Sequence, residues 1–239
     1  MNAGPKPKII LDCDPGVDDA IAIITACRWA DIVGITSVSG NVPVDHPTSN
    51  ALKMKKLLNI AAPLHSGASR PIASEPFHAS HVHGQTGLGD TNLPEPDDLA
   101  DSDDAVGFIL EKTREEEGIH LVPIGPLTNI ALAIKADPSL VNRVASITLM
   151  GGGAGVGNVT PAAEFNIFAD PEAADLVFRK LVNKNGDIID KYLNLVKEET
   201  NINDEKIQSY KKQIDHYLDM LNNFTTWIKE KIKDSKDDV

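Results

Sequence analysis

Cysteine is nearly absent from this chain: 2 in 239 residues, Cys13 and Cys27, in neither a Cys-x-x-Cys pair nor a Cys/His cluster. That excludes a disulfide framework and a zinc-finger-type site, and leaves two reduced core thiols as the expectation. Aromatics are scarce, at 5%. No run of about 18 apolar residues occurs, so no membrane span is expected, and the opening MNAGPKPKIILD lacks the apolar stretch of a secretion signal. The default expectation is a soluble cytoplasmic protein. A basic excess is also missing: the formal charge is -12, with net -10 in residues 1–171 and net -2 in residues 172–239. Such a body repels phosphate backbones, which argues against nucleic-acid binding and suits a cation.

What remains is a hydrophobic share of 41%, enough for a packed core. From Lys8 to about Leu181, short continuous apolar runs (KIILD, DIVGITSVSG, IHLVPIG, VASITLMGG) alternate with amphipathic helical patterns. This alternation predicts an α/β fold with an open, mainly parallel sheet covered by helices on both faces. Residues 1–181 form the predicted α/β domain, and residues 182–239 an α-helical C-terminal tail. From Glu172 onward there is no proline and only one glycine. Ile207, Tyr210, Ile214, Tyr217, Leu221, Phe224 and Ile228 recur at spacings of three and four, a stripe expected to serve packing, self-association or a partner.

Ligands of such sheets bind beyond the carboxyl ends of the strands, and the chemically suggestive segments all fall there. ILDCDPGVDDA follows the first strand, SGN the second, PIGPLTN a later one and MGGGAGVGN the next. Strand alternation points Asp12 and Asp14 the same way, and Asp18 and Asp19 sit on the first helical turn beyond Pro15-Gly16, so the four can share a pocket. The positive helix end offsets only ~0.3–1 kcal/mol per carboxylate. Two unit charges ~4 Å apart at an effective dielectric of ~20 repel by about 4 kcal/mol. A bound divalent ion removes the conflict. Oxygen-only donors imply Ca²⁺ or Mg²⁺, and two carboxylates with carbonyls and waters suit the larger Ca²⁺ shell. The plainer reading has Asp18 and Asp19 merely decorating a helix start while Asp12 and Asp14 bond to backbone amides.

GGGAGVGN lacks the Gly-x-Gly-x-x-Gly spacing of a dinucleotide site, and no Walker motif is present. DCDPG matches the Asp-x-Asp of haloacid-dehalogenase-type phosphatases poorly. Taken together, ILDCDPGVDDA, SGN, HVHG, PIGPLTNIA, LMGGG and AEFNIFADPEAA resemble the nucleoside hydrolases of the inosine-uridine-preferring type, in order from about Lys8 to Leu181.

The resemblance implies Ca²⁺-dependent hydrolysis of a ribonucleoside to ribose and free base. It implies Asp14 and Asp19 as carboxylate ligands, the Thr128 backbone carbonyl as a third, and Asp14 as the group that takes a proton from the attacking water. Asp18 and Asn166 would hold ribose hydroxyls, Asn41, Asn158 and Glu164 would complete the sugar pocket, and His83 and Met150 would face the base. Asp12 would support the ligands from behind. The motifs end near Leu181, where the family continues with a His-Asp pair. The tail offers only IDHYLDM, with Asp215, His216 and Asp219 in reversed order. Weak Ca²⁺ binding and impaired turnover are therefore expected. The competing readings are a nucleoside- or ribose-binding protein without turnover, and an interaction scaffold.

Overall fold

The computed structural model describes residues 5–89, 91, 93–96, 98–153, 156–161 and 163–181. The heptad stripe, Asp215, His216 and Asp219 lie outside the described residues. By contacts the chain divides into two units, Met1–Ala174 and Asp175–Val239. Of the second, the described residues are helical, and Arg179 Nε donates to Asp175 one turn earlier at 2.9 and 3.0 Å.

The first unit is built on a five-stranded sheet in the order β3-β2-β1-β4-β5, parallel throughout. Its strands are β1 (Lys8–Cys13), β2 (Asp31–Ser37), β3 (Leu64–Ser66), β4 (Ile119–Pro123) and β5 (Ser146–Ile147). β1 is central and buried along nearly its whole length, which is why it reads as a continuous apolar run rather than an alternating one. The helices of the unit are α1 (Val17–Trp29), α2 (Asp45–Leu58), α3 (Ser80–His83), α4 (Ala105–Glu115), α5 (Thr128–Ala136), α6 (Leu140–Arg143) and α7 (Phe165–Ala169). α1 packs with α2, and α4 with α5 and α6. Right-handed crossovers running outward from β1 in both directions put these groups on opposite faces.

Beneath α1 and α2 lies a core of Leu11, Cys13, Ile23, Ile35, Ala51, Leu52, Met54 and Leu64. Ile10, Ile109, Leu121, Ile130, Ile134 and Leu140 are fully buried as well. Each buried aliphatic side chain of this size contributes about 1.5–3 kcal/mol. Both cysteines are free thiols, Cys13 buried and Cys27 half-buried. No described helix is long and apolar enough to cross a membrane.

Local chemistry sets the element ends. Asp104 caps α4 by accepting from Gly107 N at 2.7 Å, so the helix starts at Ala105 and not at the preceding aspartates. Asn59 closes α2 in the left-handed region at φ 51°, a conformation asparagine tolerates. The run VASITLMGG yields only the two-residue β5. Beyond it Thr148 N still donates to Leu121 O and Met150 N to Pro123 O, at 2.9 Å each, before Gly151 to Gly153 turn the chain toward α7. Since the order 3-2-1-4-5 reverses between β1 and β4, the crevice beyond those two strands is where such a sheet opens to a ligand.

Candidate active site

A cavity of about 380 Å³ occupies that crevice, lined in part by Asp14, Asp18, Asp19, Asn41, His83, Met150, Asn158, Glu164 and Asn166. Nine of the eleven residues singled out from the sequence therefore meet at one place, in a volume suited to a small organic ligand. The other two stand outside its lining. Asp12 is wholly buried behind it, and Thr128 opens α5 beside a smaller hollow shared with Gly40 and Pro126.

β1 stops at Cys13, so the strand alternation that would aim Asp12 and Asp14 alike ends before Asp14. Asp12 instead turns into the protein, where its Oδ1 accepts from Thr36 Oγ1 at 2.6 Å and from Asn129 Nδ2 at 2.7 Å. Its Oδ2 is buried without a hydrogen-bond partner among the described residues. Burial pushes the Asp12 carboxyl up to about 6, against the opposing effect of those two bonds.

Asp14 sits in a tight cradle. Its Oδ2 accepts from Asn41 N at 2.6 Å, its carbonyl accepts from Asn41 Nδ2 at 3.1 Å, and its own N–H donates to Asp19 Oδ2 at 3.1 Å. Two glycines make room for it: a Cβ on Gly40 would lie 2.1 Å from Oδ2, and one on Gly125 2.6 Å from Oδ1. Both contacts are too close for any side chain. Gly40→Ala is therefore expected to cost ~1–3 kcal/mol through overpacking and to push the Asp14 carboxylate from its place. Thermal melting checks this, and an unchanged midpoint would remove the cradle from the account.

Burial and mutual repulsion dominate the electrostatics of these carboxylates. Burial, then the Asp19 charge, drives Asp14 well above the carboxylate range, although the Asn41 N–H pulls the other way. Burial and Asp18 push Asp19 up to about 7. His83 Nδ1 lies 3.9 Å from Asp18 Oδ1. Among the described residues no three His, Cys, Asp or Glu side chains form a metal cage. The set that exists, two buried carboxylates with oxygen-only donors and mutual repulsion to relieve, fits a hard divalent ion completed by carbonyls and water.

On the opposite wall α7 organises the polar groups. Glu164 caps this helix: its Oε2 accepts from Asn166 N and from Gly152 N, both at 3.0 Å. Asn158 Oδ1 accepts from Phe165 N at 2.8 Å. Asn166 Nδ2 donates to Ile124 O at 2.8 Å and Met150 O at 3.0 Å, so its amide is oriented by the ends of β4 and β5. The remaining lining is largely apolar or aromatic: Phe77, Val82, Val159 and Phe165, with His81. No periodic pattern marks this side in the sequence, because Phe77 and its neighbours lie in an irregular segment. That segment is nevertheless fixed, since His78 Nδ1 bonds to Gly40 O at 2.8 Å and Ala79 N donates to Asn41 O at 2.9 Å. Among the other buried polar residues, the sequence alone assigns no role to Asn129 and Asp170. The latter accepts from Thr128 Oγ1 at 2.6 Å and Ile72 N at 3.0 Å, joining α5 to the 70s loop.

Comparison with known proteins agrees with this architecture. The profile of a family described as inosine-uridine preferring nucleoside hydrolase matches residues 9–238, reaching past Leu181, where the recognisable motifs end. A curated relative, the pyrimidine-specific ribonucleoside hydrolase RihB of Escherichia coli (strain K12), is 46% identical over 176 residues, covering 72% of this chain and 56% of the relative. Among solved structures, a purine-preferring ribonucleoside hydrolase from Gardnerella vaginalis superposes with TM-score 0.68 at 36% identity, covering 72% of this chain and 58% of that one. The plant nucleoside hydrolase PpNRh1 does so with TM-score 0.66 at 37% identity, covering 74% and 57%. The chain thus spans little more than half the length of these relatives. With a profile match along nearly its whole length and a fold shared with solved members, the chain belongs to the inosine-uridine preferring nucleoside hydrolase family.

Proposed function

We propose that this chain binds a ribonucleoside in the cavity beyond β1 and β4 and hydrolyses its N-glycosidic bond to ribose and free base, with Ca²⁺ held by Asp14 and Asp19. The observation that carries the reading is the convergence of Asp14, Asp18, Asp19, Asn41, Glu164 and Asn166 on one cavity that Phe77, Val82 and Phe165 also line. A sugar needs the first set and a planar base the second. The names of the relatives differ in base, pyrimidine-specific for one and purine-preferring for another, so the proposal stops at ribonucleosides.

When bound, Ca²⁺ supplies positive charge that acidifies a water and orients ribose hydroxyls. The chain's own groups do the rest. Asp14 accepts the proton of the water whose oxygen bonds to the anomeric carbon, while the C–N bond breaks and its electron pair leaves with the base, which takes a proton from solvent. Asp18, Asn41, Asn158 and Asn166 orient the hydroxyls. The carboxylate of Glu164 stabilises the cationic character that the sugar ring acquires in an oxocarbenium-like transition state. Met150 and His83 face the base, and the Thr128 backbone carbonyl would be a further oxygen donor to the ion.

A second reading has a specific observation in its favour. No third His, Cys, Asp or Glu joins Asp14 and Asp19 among the described residues, and affinity for a hard ion follows the number of charged ligands. The chain would then bind ribose or nucleoside with little turnover. Incubation with inosine and with uridine in the presence of Ca²⁺, followed by chromatography for free base, tests the first reading. Base release is the expected result. Calorimetric binding of nucleoside without release would favour the second, and a silent titration with no release would remove both.

A further inference from the structure

We propose that Asn129, in the first turn of α5, is a positioning residue for Asp14: one buried amide ties together the walls that hold the Asp14 carboxylate, and so sets the affinity of the pocket for a hard divalent cation. The proposal rests on the Ca²⁺ and ribonucleoside reading above.

Asn129 is wholly buried and does not line the cavity. Its Nδ2 donates to Asp12 Oδ1 at 2.7 Å and to Ser37 O at 2.9 Å, while its Oδ1 accepts from Ala68 N at 2.9 Å. These three bonds reach the carboxyl ends of β1, β2 and β3 in turn. Asp12 lies two residues before Asp14, and its carbonyl also accepts from Ile124 N at 2.8 Å at the end of β4. Ser37 begins the segment that ends in Asn41, whose N–H holds Asp14 Oδ2. Ala68 passes the tie onward, since its carbonyl accepts from Ser39 N at 2.9 Å within that same segment. The third wall, Gly125 against Asp14 Oδ1, leads directly into the helix that carries Asn129.

Asparagine suits the position because two donors and an acceptor are needed at once, in a plane, with no net charge beside Asp12. Aspartate would set a second carboxylate against the first, and the packing against Gly67, where a Cβ would come within 2.4 Å of Asn129 Oδ1, leaves little room for glutamine. Rigid placement of a carboxylate ligand governs how tightly it holds a cation, and removal of the groups that orient metal ligands typically lowers metal affinity about 10–100-fold.

The test is calorimetric titration of the full chain with Ca²⁺ alone, at a temperature well below the melting transition of each variant. Asn129→Ala is expected to bind Ca²⁺ about 10–100-fold more weakly than the parent. Asn129→Ser, which keeps one hydroxyl in place of the amide, is expected to recover part of that loss. Thr113→Val is the comparator: it removes a buried hydroxyl bonded to Ile109 O at 2.7 Å inside α4, away from the cavity, and should lower the melting temperature while leaving Ca²⁺ affinity unchanged. Equal affinity in the parent and in either folded Asn129 variant overturns the positioning role while leaving the function intact. The serine variant keeps the question answerable where the alanine variant does not fold. Absence of Ca²⁺ binding by the parent itself overturns the metal reading, and this proposal with it.

Discussion

Asp14→Asn is expected to lower base release by ~10²–10⁴-fold, the contribution typical of a positioned general base, while raising the thermal stability of the metal-free chain. The two effects have one cause. Asp14 is buried, faces Asp19, and keeps its carboxylate at a cost that its single short bond from Asn41 N does not remove. An amide is uncharged, its oxygen can still accept from Asn41 N, and it fills the same space between Gly40 and Gly125. What it cannot do is take a proton from water or lend a full negative charge to a cation. Stability gained where activity is lost is the mark of a group retained for function. Chromatographic turnover assays and melting curves in a chelator check the pair. Turnover within tenfold of the parent, or a variant less stable than the parent without metal, would remove Asp14 from its assigned role.

The residues that made this site recognisable in the sequence are those whose signal is local. ILDCDPGVDDA concentrates strand end, turn and helix start in eleven consecutive residues, so the clustering of Asp14, Asp18 and Asp19 follows from chain geometry alone. The parallel sheet and its main helices were equally legible, because continuous apolar runs and 3.6-residue periodicity survive without tertiary context. β3, α3, α6 and α7 were not, each being five residues or shorter, too short for any period to emerge. Strand alternation also misled at one point: it sent Asp12 into the pocket with Asp14, whereas the strand ends between them. Asn129 illustrates the other limit. PLTN marks a strand-to-helix turn, but the partner that gives Asn129 its meaning, Asp12, lies 117 residues away, and only the folded sheet brings the two together. Phe77 and His81 fall in a segment whose shape is set by bonds to Gly40 and Asn41, again invisible to any local pattern.

Buried carboxylates make the stability of this chain depend on pH in an unusual direction. In most folded proteins carboxylates are stabilised in the charged form, so stability falls on acidification. Here Asp12 is raised to about 6 and Asp19 to about 7, both chiefly by burial, and Asp14 is raised further by burial and Asp19. Between the unfolded carboxylate value of about 4 and these folded values, the native chain binds more protons than the unfolded one. Stability must then decrease as pH rises. His65 opposes this, since burial lowers its pKa and a histidine held neutral gains stability as pH rises through about 6.5, but it is one group against four, because burial raises Asp170 as well. Metal-free melting temperatures are therefore expected to fall from about pH 5 to about pH 8. Ca²⁺, if held by Asp14 and Asp19 as proposed, would select the ionised carboxylates and displace their protons, so its stabilisation should grow over the same interval. Melting curves at both pH values, with chelator and with excess Ca²⁺, measure the two slopes. A metal-free midpoint that stays level or climbs toward pH 8 would mean that Asp12, Asp14 and Asp19 do not hold protons in the folded chain. The mutual repulsion that the cation is proposed to relieve would then be absent.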